Sequence, residues 1–125
     1  MNKKILIVDD SRVSRMMMRS LLGNQRPNWE IAEAAHGEEA LKLAEKTNCD
    51  VFSLDLNMPG MDGLALADAL RRQAPLDPAP LFFLLTANVQ EHVMQKALLH
   101  RVTVLHKPIT EAVVTQLITS VEGRA

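Results

Sequence analysis

The sequence VFSLDLNMPGMDG, residues 51–63, is the most informative segment of this 125-residue chain. Its first four residues form an apolar run typical of a buried strand, and Pro59-Gly60 marks a sharp loop. Asp55 stands between the two, so the segment predicts a carboxylate where a buried strand meets a loop. A carboxylate in this place can bind a metal ion, act as a nucleophile, or do both.

A second apolar run ends in the same way. Residues 5–8, ILIV, are followed directly by Asp9 and Asp10. Because the carboxyl ends of parallel strands meet at one edge of a sheet, we expect these acidic residues to lie close to Asp55.

Short apolar runs alternate with longer helical patterns along the whole chain, which predicts five strand-helix units around a parallel sheet. The predicted strands, of which the second has a mixed pattern and belongs at an edge, are Lys4–Val8, Trp29–Ala34, Asp50–Leu54, Pro80–Thr86 and Val102–His106. The predicted helices are Ser11–Leu22, Gly37–Lys46, Gly63–Gln73, Val89–Leu99 and Ile109–Val121. Breaks are expected at Gly23-Asn24, Arg26-Pro27, Pro59-Gly60 and residues 75–80. We therefore predict one doubly wound α/β domain over residues 1–125, with a core of about residues 3–121.

The composition excludes several classes of protein. The chain is 47% apolar and 23% charged with a net charge of −1, so charge alone draws it neither to nucleic acid nor to an acidic membrane. The apolar run near the start ends at Asp9 after four residues, which is too short for a signal peptide. The single Cys49 cannot form an internal disulfide. We therefore expect a cytoplasmic protein.

The residues at the predicted carboxyl ends of the strands form a set, because function gathers at this edge of an open α/β sheet. The set is Asp9, Asp10, Asp55, Thr86 and Lys107. Three close carboxylates repel one another unless a cation joins them, and an all-oxygen site of this kind suits Mg²⁺. A lysine ammonium group and a threonine hydroxyl suit an anion with phosphate geometry. With Mg²⁺ they would offset the charge that develops in phosphoryl transfer, and an aspartate can be the nucleophile.

The same residues carry a resemblance to a known family. The set Asp9-Asp10, residues 55–63, Thr86-Ala87 and Lys107-Pro108, in this order and at these spacings, resembles the receiver domain of bacterial two-component response regulators. The match runs from about Lys3 to Val121. It implies a flavodoxin-like (βα)5 fold with strand order 2-1-3-4-5, and a single-domain regulator of the chemotaxis type.

The resemblance also implies a role for each acidic residue. Asp55 would be the phosphoacceptor, and its donor would be a phosphohistidine on a sensor histidine kinase or a histidine phosphotransfer protein. Asp10 and Asp55 would ligate Mg²⁺ directly, with Mn²⁺ as an alternative ion. Asp9 would bind the ion largely through water, and the backbone carbonyl of Asn57 would complete the protein ligands.

Lys107 and Thr86 would bind the phosphoryl oxygens, and the Lys107-Pro108 peptide bond would be cis to aim the amine inward. Phosphorylation would shift an inactive-active equilibrium at the face of the fourth helix, fifth strand and fifth helix, where a downstream protein binds. The chain would not be an enzyme, although it would assist its own phosphorylation and dephosphorylation.

Two features depart from the family pattern, the residue at position 104 and the turn at residues 99–101. Val104 stands three residues before Lys107, where such domains carry Tyr or Phe, and a valine has no ring to swing inward. Leu99-His100-Arg101 replaces a small, glycine-containing turn. Asn57 and Asn88 follow Asp55 and Thr86 by two residues each, at positions that in this family tune the loss of the phosphoryl group.

Other residues have simpler interpretations. Asp62 is predicted to cap the helix that begins at Gly63. At least one residue of Met16–Met18 should be exposed near the site, because consecutive helical residues point about 100° apart. Such a residue would be either a plain surface residue or part of a docking surface for the phosphodonor. Packing roles are expected for Trp29 and Cys49, and surface roles without zinc for His36, His92, His100 and His106.

Alternative functions remain open at this point. The chain could be a phosphorelay intermediate that passes its phosphoryl group to a histidine, or a degenerate receiver that serves only as an interaction module. A small Mg²⁺-dependent phosphatase of the haloacid dehalogenase kind is disfavoured, because the second acid that its chemistry needs is Asn57 here. Flavin or nucleotide binding is disfavoured because no glycine-rich loop follows the first strand.

Overall fold

The computed structural model describes residues 2–73, 79–87 and 89–123. Within them the strands are β1 (Lys4–Val8), β2 (Glu30–Ala34), β3 (Val51–Asp55), β4 (Leu81–Thr86) and β5 (Thr103–His106). The helices are α1 (Arg12–Gln25), α2 (Gly37–Lys46), α3 (Gly63–Gln73), α4 (Glu91–Leu99) and α5 (Glu111–Glu122). The strands form one parallel sheet in the order β2-β1-β3-β4-β5. The predicted doubly wound fold, its strand order and the edge position of the second strand are confirmed.

Helices cover both faces of the sheet, which explains why the central strands are almost wholly apolar. Alternate residues of each strand point to opposite faces. Leu6 and Val8 belong to the core under α2, α3 and α4, whereas Ile5 and Ile7 belong to the core under α1 and α5. Trp29 is buried in the second core, as predicted, just before β2 begins.

The predicted end of the first helix is wrong. Gly23-Asn24 does not end the helix, and α1 continues to Gln25. The Arg26 N–H still donates to the Leu22 carbonyl at 2.7 Å. The helix stops there because the following Pro27 disfavours helical backbone at Arg26.

Several other boundaries also differ from the prediction. α4 begins at Glu91 and not at Val89, and α5 begins at Glu111 and not at Ile109. At α5 the reason is a cap, since the Thr110 hydroxyl accepts the Val113 N–H at 3.2 Å. The second to fifth strands each begin one residue later than predicted, and β3 also ends one residue later, at Asp55. Most of the predicted break at residues 75–80 lies outside the described residues.

The unusual turn after α4 takes a left-handed conformation. Arg101 has φ 55°, a value that glycine adopts most easily. Its N–H donates to the Leu98 carbonyl at 3.1 Å, and the Val102 N–H donates to the Ala97 carbonyl at 3.0 Å. These two bonds form a Schellman motif, in which a glycine commonly stands where Arg101 does. Arg71 of α3 donates to the carbonyls of His100 and Arg101 and so braces the turn from below.

The helices of the described ranges do not include a membrane span, because none is both long and apolar enough to cross a bilayer.

Candidate functional site

The parallel sheet brings the predicted site residues to one edge. Asp9 and Asp10 follow β1, Asp55 ends the neighbouring β3, Thr86 ends β4, and Lys107 follows β5. The chain leaves β1 for β2 on one side and later returns to β3 on the other. This reversal opens a crevice at the carboxyl ends of β1 and β3, the usual place for a site in such a sheet.

Asp9, Asp10 and Asp55 form an acidic cluster in this crevice. One carboxylate oxygen from each lies within 4.8 Å of the others. Asp9 and Asp55 are only 4% and 5% exposed, whereas Asp10 is open to solvent. No other group of three metal-ligating side chains occurs within the described ranges. Three convergent carboxylates, two of them buried, are the donor set that a hard divalent cation such as Mg²⁺ prefers.

Lys107 joins the two buried carboxylates. Its Nζ lies 3.0 Å from Asp55 Oδ1 and 3.3 Å from Asp9 Oδ2. Burial alone lowers the lysine pKa, but the hydrogen bond to Asp55 and the charges of Asp9 and Asp55 outweigh it, so the pKa of Lys107 is raised. Lys107 is therefore a permanent positive charge beside Asp55 at neutral pH.

Asp55 has opposing influences on its charge. Burial raises its pKa, the hydrogen bond with Lys107 lowers it, and the negative charge of Asp9 raises it again. A hydrogen bond from the Asn57 backbone also lowers it, yet the net pKa of Asp55 stays above its ordinary value. The site thus holds this carboxylate in an environment that compensates its charge only in part. An added cation would complete the compensation.

Asp9 is oriented by its local backbone and by α1. Its Oδ1 accepts the Ser11 N–H at 2.9 Å, and its carbonyl accepts a hydrogen bond from Arg15 Nη1 at 2.7 Å. Arg15 also pairs with Glu33 of β2 at 3.2 Å. The prediction from sequence missed Arg15. The only signal for it is a basic residue four positions after Ser11, the residue that caps α1, and that is too common to single out.

The loop after Asp55 is tied back to the sheet. The Leu56 N–H donates to the Leu85 carbonyl at 3.0 Å, and the Gly63 N–H donates to the Leu56 carbonyl at 3.2 Å. Gly60 turns the loop with φ 83°. The Asp62 side chain accepts the Ala65 N–H at 2.9 Å, which confirms that Asp62 caps α3.

Gly63 is required by close packing. A Cβ atom at this position would lie 2.6 Å from the Asp55 carbonyl oxygen and 2.6 Å from Leu84 Cδ1. Only glycine allows the start of α3 to approach the end of β3 so closely. The glycine therefore fixes the distance between α3 and the residue that carries the site carboxylate.

Thr86 and the residues around Lys107 are the remaining part of the candidate site at the carboxyl ends of the strands. Thr86 is 1% exposed, and its carbonyl accepts the Lys107 N–H at 3.0 Å. The Lys107-Pro108 peptide bond is cis, as the resemblance implies. Val104 is half-buried and packs against the core under α2, α3 and α4. Asn88 lies outside the described residues.

The histidines have local contacts and stand outside the acidic cluster. His36 Nδ1 accepts the Glu39 N–H at 3.3 Å and caps α2, and His100 Nδ1 lies 2.9 Å from an Asp68 carboxylate oxygen. His36, His92 and His106 are exposed, as predicted, while His100 is half-buried. The prediction that at least one of the three consecutive methionines is exposed is confirmed, because Met16 and Met17 are exposed while Met18 is buried.

Comparison with known proteins identifies one family and several relatives. The family model described as the response regulator receiver domain matches residues 5–119. A protein-glutamate methylesterase/protein-glutamine glutaminase of Thiobacillus denitrificans is 38% identical over 109 residues, which cover 86% of this chain and 30% of that protein. An alkaline phosphatase synthesis transcriptional regulatory protein of Bacillus subtilis is 37% identical over 91 residues, which cover 73% of this chain and 36% of that protein. The chain spans about a third of the length of these two curated relatives.

A solved structure matches over nearly its full length. The crystallised chemotaxis protein of Vibrio cholerae superimposes with a TM-score of 0.85 at 31% identity, and the match covers 97% of this chain and 99% of that chain.

Proposed function

Because the chain belongs to the response regulator receiver domain family, and so has a phosphoacceptor role in signalling, we propose that Asp55 is the residue that accepts the phosphoryl group. One observation carries the proposal: the Asp55 carboxylate ends a buried central strand inside the acidic cluster, 3.0 Å from Lys107 Nζ. Asp9 contacts the same lysine, but its other oxygen is occupied by the Ser11 N–H. Asp10 is exposed, so Asp55 is the best placed acceptor.

The transfer step follows from this geometry. A carboxylate oxygen of Asp55 attacks the phosphorus atom of a phosphohistidine, and the new P–O bond forms as the P–N bond breaks. The bonding electron pair leaves with the imidazole nitrogen. The Lys107 ammonium group offsets negative charge on the phosphoryl oxygens, and the Thr86 hydroxyl donates a hydrogen bond to one of them. Attack by water on the acyl phosphate later returns the Asp55 carboxylate and inorganic phosphate.

Mg²⁺ is the cofactor that the donor set fits. Asp10 and Asp55 would hold it directly, Asp9 largely through water, and the Asn57 carbonyl would be a further ligand. When bound, the ion neutralises charge on the transferred group and on the clustered carboxylates. Nothing in this set of oxygen donors favours Mn²⁺ over Mg²⁺.

Two surfaces fit protein partners. Val13, Met16 and Met17 are exposed on α1, which begins two residues after Asp10, and would contact the helices of a histidine kinase or histidine phosphotransfer protein. Met94, Leu98 and Leu99 of α4 are also exposed, which supports α4, β5 and α5 as the face for a downstream protein. Histidine kinases present their phosphoryl group inside the cell, and we place this domain in the cytoplasm for that reason.

The alternatives have less support. An inert interaction module has no need of the Lys107 contact to two buried carboxylates. A phosphatase of the haloacid dehalogenase kind needs an acid at position 57, and no acid is present there. No contact in the described residues favours onward transfer to a histidine over signalling by protein binding.

The proposal is tested by incubating the protein with acetyl phosphate and Mg²⁺ and measuring its intact mass. Wild type should gain one phosphoryl group, and chelation of Mg²⁺ should prevent the gain. Asp55→Asn should remain unmodified because it lacks the nucleophilic oxygen.

Asp50→Asn is the matched control. Asp50 adjoins the opposite end of β3 and accepts the Lys4 N–H at 2.9 Å, a bond that an asparagine oxygen can also accept. This variant should gain the phosphoryl group as wild type does. A wild type that stays unmodified, or an Asp55→Asn protein that is still modified, would reject Asp55 as the acceptor.

A further inference from the structure

A cleft of about 340 Å³ lies at the other end of the sheet from the acidic cluster. It is bordered by the C-terminal ends of α2 and α3, the start of β4 and the turn after α4. Its volume is within the range of small-molecule sites, which is about 300–1,000 Å³. The proposed phosphoryl transfer does not use any of its residues.

The wall of the cleft is largely apolar. Cys49, Phe52, Leu70 and Phe82 line it and are each no more than 5% exposed. The rings of Phe52 and Phe82 are stacked, with centroids 5.0 Å apart. A ligand with an apolar body would be removed from water by this wall.

Two guanidinium groups are the charged part of the lining. Arg71 and Arg101 both border the cleft, and the described lining residues include no carboxylate. The Arg71 guanidinium lies 4.3 Å from the centre of the Phe82 ring. Burial lowers the Arg71 pKa, and the positive charge of Arg101 lowers it further. The negative charge of Asp68 raises the Arg71 pKa, but the Asp68 carboxylate already contacts His100 Nδ1 at 2.9 Å.

Two other polar side chains of the lining already donate hydrogen bonds within the protein. The Thr47 hydroxyl donates to the Leu43 carbonyl at 3.0 Å, and the Gln73 amide donates to the Leu41 carbonyl at 2.9 Å. Arg71 donates to the His100 and Arg101 carbonyls, which uses two of the five N–H groups of a guanidinium. The remaining guanidinium donors are suited to an anion.

We propose that this cleft binds a small carboxylate with an apolar body, placing the body against Phe52 and Phe82 and the carboxylate at Arg101 and Arg71. Charge complementarity selects this class, because two cations beside an apolar wall favour an anion and repel an amine. Arg101 is exposed, so the charged end of the ligand lies toward solvent. Arg71 donates hydrogen bonds to the carbonyls of His100 and Arg101, so ligand binding would also change the environment of the turn at the end of α4.

The test is a titration of the isotopically labelled chain with octanoate, followed by amide NMR shifts. Octanoate should cause saturable shifts at Cys49, Phe82 and Arg101, and octylammonium should cause none there. The reaction rate of Cys49, the only cysteine of the chain, with a small thiol reagent should also fall when octanoate is bound.

Arg101→Gln and Arg72→Gln form a matched pair of variants. Arg101→Gln should weaken octanoate binding about tenfold through loss of a charged hydrogen bond. Arg72→Gln removes a neighbouring exposed charge that does not line the cleft, so affinity should not change. Absence of saturable shifts, equal shifts with 1-octanol, unchanged affinity in Arg101→Gln, or shifts confined to the exposed side chains of α4 would each overturn the proposal.

Discussion

At the scale of single residues, Asp55 shows the conflict between function and stability. A buried carboxylate with a raised pKa is less favourable when ionised in the folded chain than in the unfolded chain. Lys107 offsets part of this cost but also belongs to the site. The proposed phosphoryl transfer, and not the packing of the core, therefore accounts for a carboxylate at position 55.

Asp55→Asn is expected to raise the free energy of unfolding at pH 7 when Mg²⁺ is absent. The substitution keeps the shape of the side chain and removes the unfavourable charge. The folded-state pKa lies above the unfolded value of 3.8, so protonation favours the folded chain. Wild type should gain stability relative to the variant as the pH falls through the raised pKa toward 3.8. Urea unfolding at a series of pH values measures both effects.

Two observations check this interpretation of Asp55. Mg²⁺ should stabilise wild type more than Asp55→Asn, because only wild type keeps all three carboxylates. Asp50→Asn should unfold like wild type at each pH. A variant at position 55 that is less stable than wild type at pH 7 without Mg²⁺ would show that the contact to Lys107 outweighs the cost of burial.

At the scale of elements, the junction between β3 and α3 positions the site. Residues 55–63 end a strand, turn at Gly60 and start a helix against the strand they have just left. This return is possible because Gly63 has no Cβ. The precision of the Asp55 position therefore depends on a residue eight positions later in the chain.

Gly63→Ala is expected to destabilise the fold by about 3 kcal/mol, because the added methyl group overlaps a backbone oxygen that cannot easily move. It should also slow phosphorylation by acetyl phosphate, since α3 would be pushed away from β3. Gly23→Ala is the control. Nothing lies within 4 Å of a Cβ at position 23, and an alanine inside α1 should add about 0.5–1 kcal/mol. Urea unfolding compares the two, and equal effects would contradict the packing argument.

At the scale of the whole molecule, the described helices differ in how many side chains they bury against the sheet. α5 buries five of its side chains, Val113, Val114, Leu117, Ile118 and Val121, whereas α4 buries only Val93 and Ala97. α1 and α2 likewise bury only two residues each. An element with few buried contacts is the one that a small change at the site can move most easily. Val104 has no aromatic ring to transmit such a change, so we expect it to pass through β4 and α4.

Addition of beryllofluoride and Mg²⁺, which would imitate a phosphoryl group on the proposed acceptor Asp55, is expected to shift amide NMR signals in β4 and α4 more than those in α2 and the C-terminal half of α5. The reason is that β4 ends at Thr86 in the site and α4 is the next element along the chain, whereas α2 follows β2, which contributes no residue to the site. Asp55→Asn under the same conditions should show no shifts. Changes limited to the loops of the acidic cluster would indicate a receiver that does not transmit its state to α4.

The class of fold and the members of the site could be predicted from the amino-acid sequence alone. Apolar runs that alternate with helical patterns, each run ending at a polar residue, are sufficient for this. Burial between two helical layers dictates an apolar strand, and the carboxyl edge of the sheet collects the polar residues at the strand ends. The same local logic placed α2, α3 and the cap of Asp62 correctly. It failed at Gly23-Asn24, because a weak helix breaker is tolerated where tertiary contacts hold the helix.

The way in which the site residues meet depends on the tertiary structure. Asp9 and Asp55 are distant in sequence, and their shared contact with Lys107 exists because β1 and β3 are neighbours while the chain after β5 returns over the same edge. Three other features also depend on the tertiary structure. They are the hydrogen bond from Arg15 to Asp9, the lack of space for a Cβ atom at Gly63, and the cleft bordered by Arg71 and Arg101. Each depends on distances between segments remote along the chain, and a sequence pattern records the types of residue but not these distances.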